Sequence, residues 1–178
     1  VAADPAPFLA LGLCSATWLE AALPALIEAE ATAPLGGESL LHLDVRSANL
    51  CFSGERVVLL DWSYACRGNP RMDVAFWLPN LHGEGGPEPD EILPGEPGLA
   101  ALLSGFWAAR AGLPPPTPGS PLRRARRRYL GVAFPWAARA LGLPPPDGRG
   151  ADRSSPGGGR SDSGAGAAPL PPRERSAS

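Results

Sequence analysis

The organisation of this chain follows from one short stretch, His42-Leu43-Asp44-Val45-Arg46-Ser47-Ala48-Asn49, and from Asp61-Trp62 a little further on. The apolar pair Leu40-Leu41 leads into the first motif, and two apolar runs separated by Ser53-Gly54-Glu55 connect it to the second. Two short apolar runs around a glycine-containing turn predict a β-hairpin. The hairpin would return the chain so that Asp61 emerges beside Asn49, at strand ends where side chains are held rigidly.

Asp44, Asn49 and Asp61 are residue types that suit phosphoryl transfer. The transition state of that reaction needs positioning and charge neutralisation more than covalent chemistry. A carboxylate orients the acceptor hydroxyl and can take its proton, and Mg²⁺ prefers oxygen ligands with only one or two protein carboxylates. The three side chains therefore indicate a phosphotransfer site, although Asp and Asn are also common turn residues and Asp61 could simply end a strand.

Three segments together resemble the aminoglycoside phosphotransferase and choline kinase superfamily, whose members share the fold of protein kinases. Residues 41–50 resemble the catalytic loop of that family, and Val58-Leu59-Leu60-Asp61-Trp62 resembles its metal-binding strand end. The segment Gly68-Asn69-Pro70-Arg71-Met72-Asp73-Val74-Ala75 resembles the start of the helix that follows. The specific resemblance covers about residues 38–80, whereas residues 15–37 and 95–142 share only helical character.

The resemblance implies a role for each of five residues. Asp44 would be the catalytic base or the carboxylate that orients the acceptor, and Asn49 and Asp61 would bind the Mg²⁺ that accompanies ATP. His42 would brace the catalytic loop, and Asp73 would accept hydrogen bonds from the loop backbone. The implied activity is ATP-dependent phosphorylation of a hydroxyl on a small molecule, which the sequence does not identify further.

The implied fold class is α+β: a protein kinase-like fold with a mostly helical C-terminal lobe and a small β-hairpin at the catalytic cleft. The family's N-terminal lobe carries a five-stranded sheet and a lysine that pairs with the ATP phosphates. Few residues precede His42, and all 16 positively charged residues are arginine. We therefore expect the N-terminal lobe to be absent and the chain to be a truncated form.

Apolar residues at helical spacing predict four helices, over residues 16–33, 71–81, 99–111 and 121–141. Ser15 or Thr17 could cap the first of these helices, and Pro24 should kink or break it. Between the helices we expect two loops, a polar one at Arg67-Gly68-Asn69-Pro70 and one rich in glycine, proline and acids over residues 83–97.

The composition changes at Asp147, after which glycine, serine, arginine and proline dominate and apolar residues are rare. Such a segment cannot bury enough surface to order itself. We therefore expect a catalytic lobe over residues 1–146 and a disordered tail over residues 147–178.

The overall charge and the cysteines limit the choice of partners and compartment. A formal net charge of −2 gives no argument for a nucleic-acid or membrane partner. The three cysteines, Cys14, Cys51 and Cys66, have no CxxC spacing, so we expect buried apolar roles for them rather than disulfides. No signal peptide or membrane-length apolar run is visible, and a reducing cytoplasmic location is expected. The oligomeric state is open.

Two other hypotheses compete with the kinase. The chain could be a kinase-lobe remnant that folds and phosphorylates nothing, or a metal-dependent hydrolase with His42, Asp44, Asp61 and His82 as ligands. Two charged clusters also stay open at this point. The acids Glu84, Glu88, Asp90, Glu91 and Glu96 could attract a cationic acceptor or form an ordinary acidic surface, and the arginine run over residues 123–128 is expected to be a solvated helix face.

Overall fold

The computed structural model describes residues 1–113 and 121–148. Within them the chain combines helices with two small antiparallel sheets. The helices are α1 (Ala6–Leu9), α2 (Ala16–Ala31), α3 (Arg71–Gly83), α4 (Pro89–Ile92), α5 (Pro97–Ala111) and α6 (Leu122–Ala140). The strands are β1 (Ser39–Leu41), β2 (Leu50–Ser53), β3 (Arg56–Leu59) and β4 (Cys66–Gly68), with a 3₁₀ turn at Ser47–Asn49.

The helices form the core of the structure. α5 and α6 pack along each other, α2 lies against α5, and α3 lies against α6. Leu78, Leu99, Leu103 and Trp136 are completely buried in one apolar cluster between α3, α5 and α6. Burying such side chains is the main stabilising term for helices that are individually short, and it fixes α3 as a rigid support for the loop that follows β1.

The two sheets differ in how far apart their strands lie along the chain. β2 and β3 form the hairpin that the sequence predicts, with Leu50 opposite Leu59. β1 pairs instead with β4, with Leu41 opposite Cys66. The prediction of a polar loop at residues 67–70 is therefore wrong for Arg67 and Gly68, which belong to β4. A Cβ at Gly68 would lie 2.7 Å from Cδ1 of Leu41, so any larger residue at this position would require the Leu41 side chain to shift.

The hairpin projects from the helical body. Every residue of β2 and β3 is at least partly exposed, and Phe52, Val57 and Tyr64 are 72%, 58% and 66% exposed. Leu40, Val58, Leu60 and Trp62 are exposed as well. Two of these exposed side chains, Leu60 and Trp62, directly flank Asp61 in the chain.

The predictions of a helix cap, a helix break and a loop between helices are only partly confirmed. Ser15 caps α2, because its Oγ accepts a hydrogen bond from the backbone N–H of Trp18 at 3.0 Å. Of the two outcomes predicted for Pro24, a break does not occur, since α2 continues through this residue to Ala31. Packing against α5 outweighs the one backbone hydrogen bond that proline removes. The segment expected to be a loop over residues 83–97 contains the short helix α4, whose start is held by a capping box.

Two further predictions concern the arginine run of α6, expected to be a solvated helix face, and the tail that begins at Asp147. Arg126 and Arg127 of α6 donate hydrogen bonds to the backbone carbonyls of Arg110 and Leu11, so part of the arginine run serves internal packing. The carboxylate of Asp147 accepts a hydrogen bond from the backbone N–H of Ser15. The hydroxyl of Ser15 and, to a smaller extent, this backbone N–H lower the pKa of Asp147. The chain is thus tied to the start of α2 at the first residue of the predicted tail, and residues 149–178 lie outside the described residues.

None of the helices that the structure describes is long and apolar enough to cross a membrane.

The expected burial of all three cysteines is wrong for two of them. Cys14 is buried, whereas Cys51, on strand β2 of the projecting hairpin, and Cys66, at the exposed start of β4, are exposed. Burial also raises the pKa of the Cys14 thiol to about 11, with a further contribution from the negative charge of Asp147.

We expect the three thiols to react at different rates with Ellman's reagent at pH 8. Cys51 and Cys66 should react quickly, and Cys14 should react only slowly because the thiolate is the reactive form and is disfavoured there. Absorbance of the released thiolate in native and urea-unfolded protein measures the difference. Equal rates for all three thiols in the native protein would contradict the burial of Cys14.

Candidate active site

The backbone that leads into the candidate site is held by Asp73, in the first turn of α3. Its carboxylate accepts hydrogen bonds from the backbone N–H of His42, at 2.8 and 3.1 Å to its two oxygens, and from that of Leu43 at 2.7 Å. Leu43 has a φ of 58°, a left-handed conformation that is costly for a side chain with a Cβ. Asp73 therefore stabilises an unfavourable turn directly before Asp44.

His42 joins this turn to the end of β3. The side chain is completely buried. Its Nε2 donates a hydrogen bond to the carbonyl of Leu60 at 2.8 Å, and its Nδ1 accepts one from the backbone N–H of Asp44 at 3.2 Å. The ring also packs on Trp62, with 4.7 Å between centroids. Because each ring nitrogen has a partner, His42 connects the segments that carry Asp44 and Asp61.

Asp44 and Asn49 are in direct contact. The side-chain amide of Asn49 donates hydrogen bonds to Oδ2 and to the backbone carbonyl of Asp44, each at 2.8 Å. Arg46 donates to the same Oδ2 at 3.2 Å. Within the described residues, Oδ1 of Asp44 has no donor, and the side chain is 30% exposed. The carboxylate is thus oriented through one oxygen while the other stays available to accept a proton.

Asp61 lies next to Asn49 because of the hairpin. The backbone N–H of Leu60 donates to the carbonyl of Asn49 at 2.8 Å, directly beyond the last pair of β2 and β3. Asp61 itself has a φ of 61°, so a second left-handed residue occurs in the site. Strained residues of this kind cluster at functional sites.

The charge of Asp61 is favoured by its neighbours. The hydroxyl of Ser63 donates to Oδ1 of Asp61 at 2.5 Å. This hydrogen bond is the main cause that lowers the pKa of Asp61, and the positive charge of Arg46 contributes in the same direction. Asp61 is therefore an exposed carboxylate that is negatively charged at neutral pH.

The donor set fits a hard divalent cation. Asn49 uses its amide nitrogen on Asp44, which leaves its carbonyl oxygen for a ligand, and Asp61 supplies a carboxylate. No group of three or more His, Cys, Asp or Glu side chains that could hold a metal occurs in the part of the chain that the structure describes. Mg²⁺ commonly binds through one or two protein carboxylates, substrate phosphates and several waters, and these two residues suit such an open site.

The ligand set of the hydrolase hypothesis is not assembled. Both nitrogens of His42 are hydrogen-bonded within the protein. His82 lies in the last turn of α3, where its Nδ1 contacts the carbonyl of Pro87 at 3.2 Å and its Nε2 lies 3.7 Å from Glu88. The two histidines therefore serve separate structural contacts.

The acidic cluster is also engaged within the protein. Arg139 binds Glu88 and Asp90 at 2.9 and 2.8 Å, and Arg71 binds Glu96 at 2.9 Å. Glu91 belongs to the capping box of α4, and Glu84 contacts Ser47 and Asn80. These pairings favour a structural role over a free acidic surface for a cationic acceptor.

The family match agrees with this geometry. The phosphotransferase enzyme family model matches residues 3–113, more than half of the chain, and the chain therefore belongs to that family. The match confirms the resemblance to aminoglycoside phosphotransferases and choline kinases, and the family implies a kinase-like fold. No curated protein and no solved structure matches the chain.

Several residues of the site were not predicted from the sequence. Arg46 and Ser47 lie inside the motif, and Ser63 follows Asp61 by two positions, so their proximity was a usable signal. Asn80 and Glu84 lie more than thirty positions from the loop that they contact. No local pattern marked them.

Replacing Ser63 by alanine is expected to raise the pKa of Asp61 towards its ordinary value of 3.8, because the main hydrogen bond to the charged form is lost. A lowered pKa means that this stabilisation is present above about pH 3.8 and is lost as the pH falls through the lowered value. The titration of the Asp61 carboxyl carbon by NMR measures the change. Ser53→Ala, at the far end of the hairpin, is the control, and an unchanged midpoint in Ser63→Ala would contradict the assignment.

Proposed function

We propose that this chain is an ATP-dependent phosphotransferase that acts on a hydroxyl group of a small molecule. The observation that carries the proposal is the contact of Asn49 with Asp44 beside the Asp61 strand end, in a member of the phosphotransferase enzyme family. A general base, an amide oxygen and a second carboxylate are the groups that phosphoryl transfer needs.

Each residue has a defined task in this proposal. Oδ1 of Asp44 accepts the proton of the acceptor hydroxyl, while Arg46 and Asn49 hold Oδ2 in place. Asn49 and Asp61 would hold Mg²⁺, which supplies neutralisation of the charge on the phosphate oxygens when bound. Arg46 lies beside both carboxylates and adds positive charge where the negative phosphoryl group would be transferred.

The charge pattern supports a small-molecule acceptor. Of the acids that could attract a cationic acceptor, Glu88, Asp90 and Glu96 are paired with Arg139 and Arg71, and two arginines of α6 bind backbone carbonyls. The proposal includes neither a nucleic-acid nor a membrane partner, and it places the reaction in the cytoplasm, where ATP is available.

Calorimetric titration of ATP into the protein in the presence of Mg²⁺ tests the proposal. We expect binding to the wild-type protein, loss of at least tenfold in affinity in Asp61→Ala, and unchanged affinity in Asp90→Ala. Asp90 is a matched control because it is a partly exposed aspartate on α4 whose partner is Arg139. Absence of binding to the wild-type protein, or equal binding to Asp61→Ala, would overturn the proposal and favour the inactive kinase-lobe remnant.

A further inference from the structure

Three polar side chains form a closed set of hydrogen bonds on the outer side of the catalytic loop. Oδ1 of Asn80 accepts a hydrogen bond from the backbone N–H of Ser47 at 3.2 Å, and its Nδ2 donates to Oε1 of Glu84 at 2.9 Å. The other oxygen of Glu84 accepts a hydrogen bond from the hydroxyl of Ser47. We call Ser47, Asn80 and Glu84 the Asn80 brace.

The Asn80 brace is a second attachment of the catalytic loop to α3. Asp73 in the first turn of α3 holds the backbone of His42 and Leu43. Asn80 lies seven positions later, two helical turns along the same face, and holds Ser47. One rigid helix therefore fixes the loop on both sides of Asp44.

The attachment at Ser47 controls the turn that carries Asn49. Ser47 is the first residue of the 3₁₀ turn Ser47–Asn49, and the backbone N–H of Asn49 closes this turn on the carbonyl of Arg46 at 2.8 Å. The side chain of Asn49 then reaches Asp44. A shift of Ser47 would move the amide group of Asn49 away from both Asp44 and the neighbouring Asp61.

The burial of Asn80 restricts its side chain to one orientation. Asn80 is only 5% exposed, so its amide group must be hydrogen-bonded within the protein. Both its acceptor and its donor side are used on partners of the brace, and the charged Glu84 strengthens the donor side. The side chain thus has one favoured orientation, with its oxygen towards Ser47.

We propose that Asn80 and Glu84 are positioning residues of the phosphotransfer site, which set the orientation of Asn49 through Ser47. The expected effect on phosphotransfer rests on the proposed function, whereas the positioning of Ser47 rests only on the hydrogen bonds of the brace. It gives Glu84 a task different from the other acids of its cluster, whose partners are arginines or backbone groups.

A pair of substitutions can break and restore the brace. Asn80→Asp places a carboxylate against that of Glu84, and the repulsion between the two groups turns the new side chain away from the Ser47 N–H. Adding Glu84→Gln supplies an amide that can donate to the new carboxylate, while its oxygen can still accept from the Ser47 hydroxyl. Asn69→Asp is the matched control, since the amide of Asn69 donates to the carbonyl of Pro34 away from the loop.

The affinity for ATP in the presence of Mg²⁺ is measured by calorimetry on all variants, at a temperature where circular dichroism shows each of them folded. We expect Asn80→Asp to weaken binding about tenfold and the double variant to recover most of that loss, while Asn69→Asp binds like the wild type. A purely structural role would lower the unfolding temperature of Asn80→Asp without changing the affinity of the folded protein, and this result would overturn the proposal. A double variant no better than Asn80→Asp would overturn it as well.

Hydrogen exchange of the Ser47 amide separates this inference from the proposed function, because it needs no nucleotide. We expect exchange at Ser47 to be accelerated about tenfold in Asn80→Asp and restored in the double variant. If the wild-type protein bound no ATP while the exchange rates followed this pattern, the phosphotransfer function would fail and the brace would stand as a loop contact. Unchanged exchange at Ser47 would refute the brace itself.

Discussion

Asp44→Asn is expected to reduce the turnover of phosphotransfer by roughly 10²–10⁴-fold, the usual contribution of a positioned general base. The substitution preserves the size of the side chain and removes the oxygen that can take a proton. Binding of ATP with Mg²⁺ should change little, because Asp44 contacts Asn49 and Arg46 and is not one of the two predicted metal ligands. Turnover with a panel of small hydroxyl acceptors, followed by ADP release, measures the effect.

The same assay needs an aspartate control outside the site. Asp90→Asn removes a charge from α4 next to Arg139 and should leave turnover unchanged. If Asp44→Asn kept wild-type turnover, Asp44 would not be the base, and its contacts with Arg46 and Asn49 would be structural only.

Asp73→Ala is expected to have the largest effect on stability among single substitutions near the site, a loss of about 2–4 kcal/mol in the free energy of unfolding. Its carboxylate accepts hydrogen bonds from two backbone N–H groups, one of which belongs to the left-handed Leu43. Alanine would leave these groups without their acceptor and would release the turn before Asp44. Urea unfolding followed by tryptophan fluorescence measures the loss.

Asp73→Asn separates the hydrogen bonds from the charge. Its amide oxygen can still accept from His42 or Leu43, so its loss of stability should be smaller than that of alanine. An Asp73→Ala protein with a wild-type unfolding midpoint would show that β1 and its pairing with β4 hold the loop without help from α3.

Much of the fold could be predicted from local patterns. Helical spacing predicts the positions of α2, α3, α5 and α6, and apolar runs around Ser53-Gly54-Glu55 predict the hairpin. Helix periodicity and turn composition act over a few residues, so they are visible in the sequence itself. The helix does not break at Pro24, because packing against α5 outweighs this local signal, and the segment 83–97, predicted as a loop, contains α4, whose start is held by a capping box.

The exposure of side chains was harder to predict. Cysteine is usually a buried residue, yet Cys51 lies on the projecting hairpin and Cys66 lies at the exposed start of β4, so both are exposed. Whether a short strand is covered depends on what packs against it, which the strand's own sequence does not specify.

The sequence by itself determined the family, the order of helices and hairpin, and the candidate roles of Asp44, Asn49 and Asp61, which stay predictions. Only the tertiary structure decided the pairing of β1 with β4, the left-handed turns at Leu43 and Asp61, and the partners of Asn80 and Glu84. The Ser47 contacts of the brace join residues 33 and 37 positions apart. Such contacts depend on where the core places α3 against the loop. That placement results from all the packing interactions together, so no local sequence pattern reveals it.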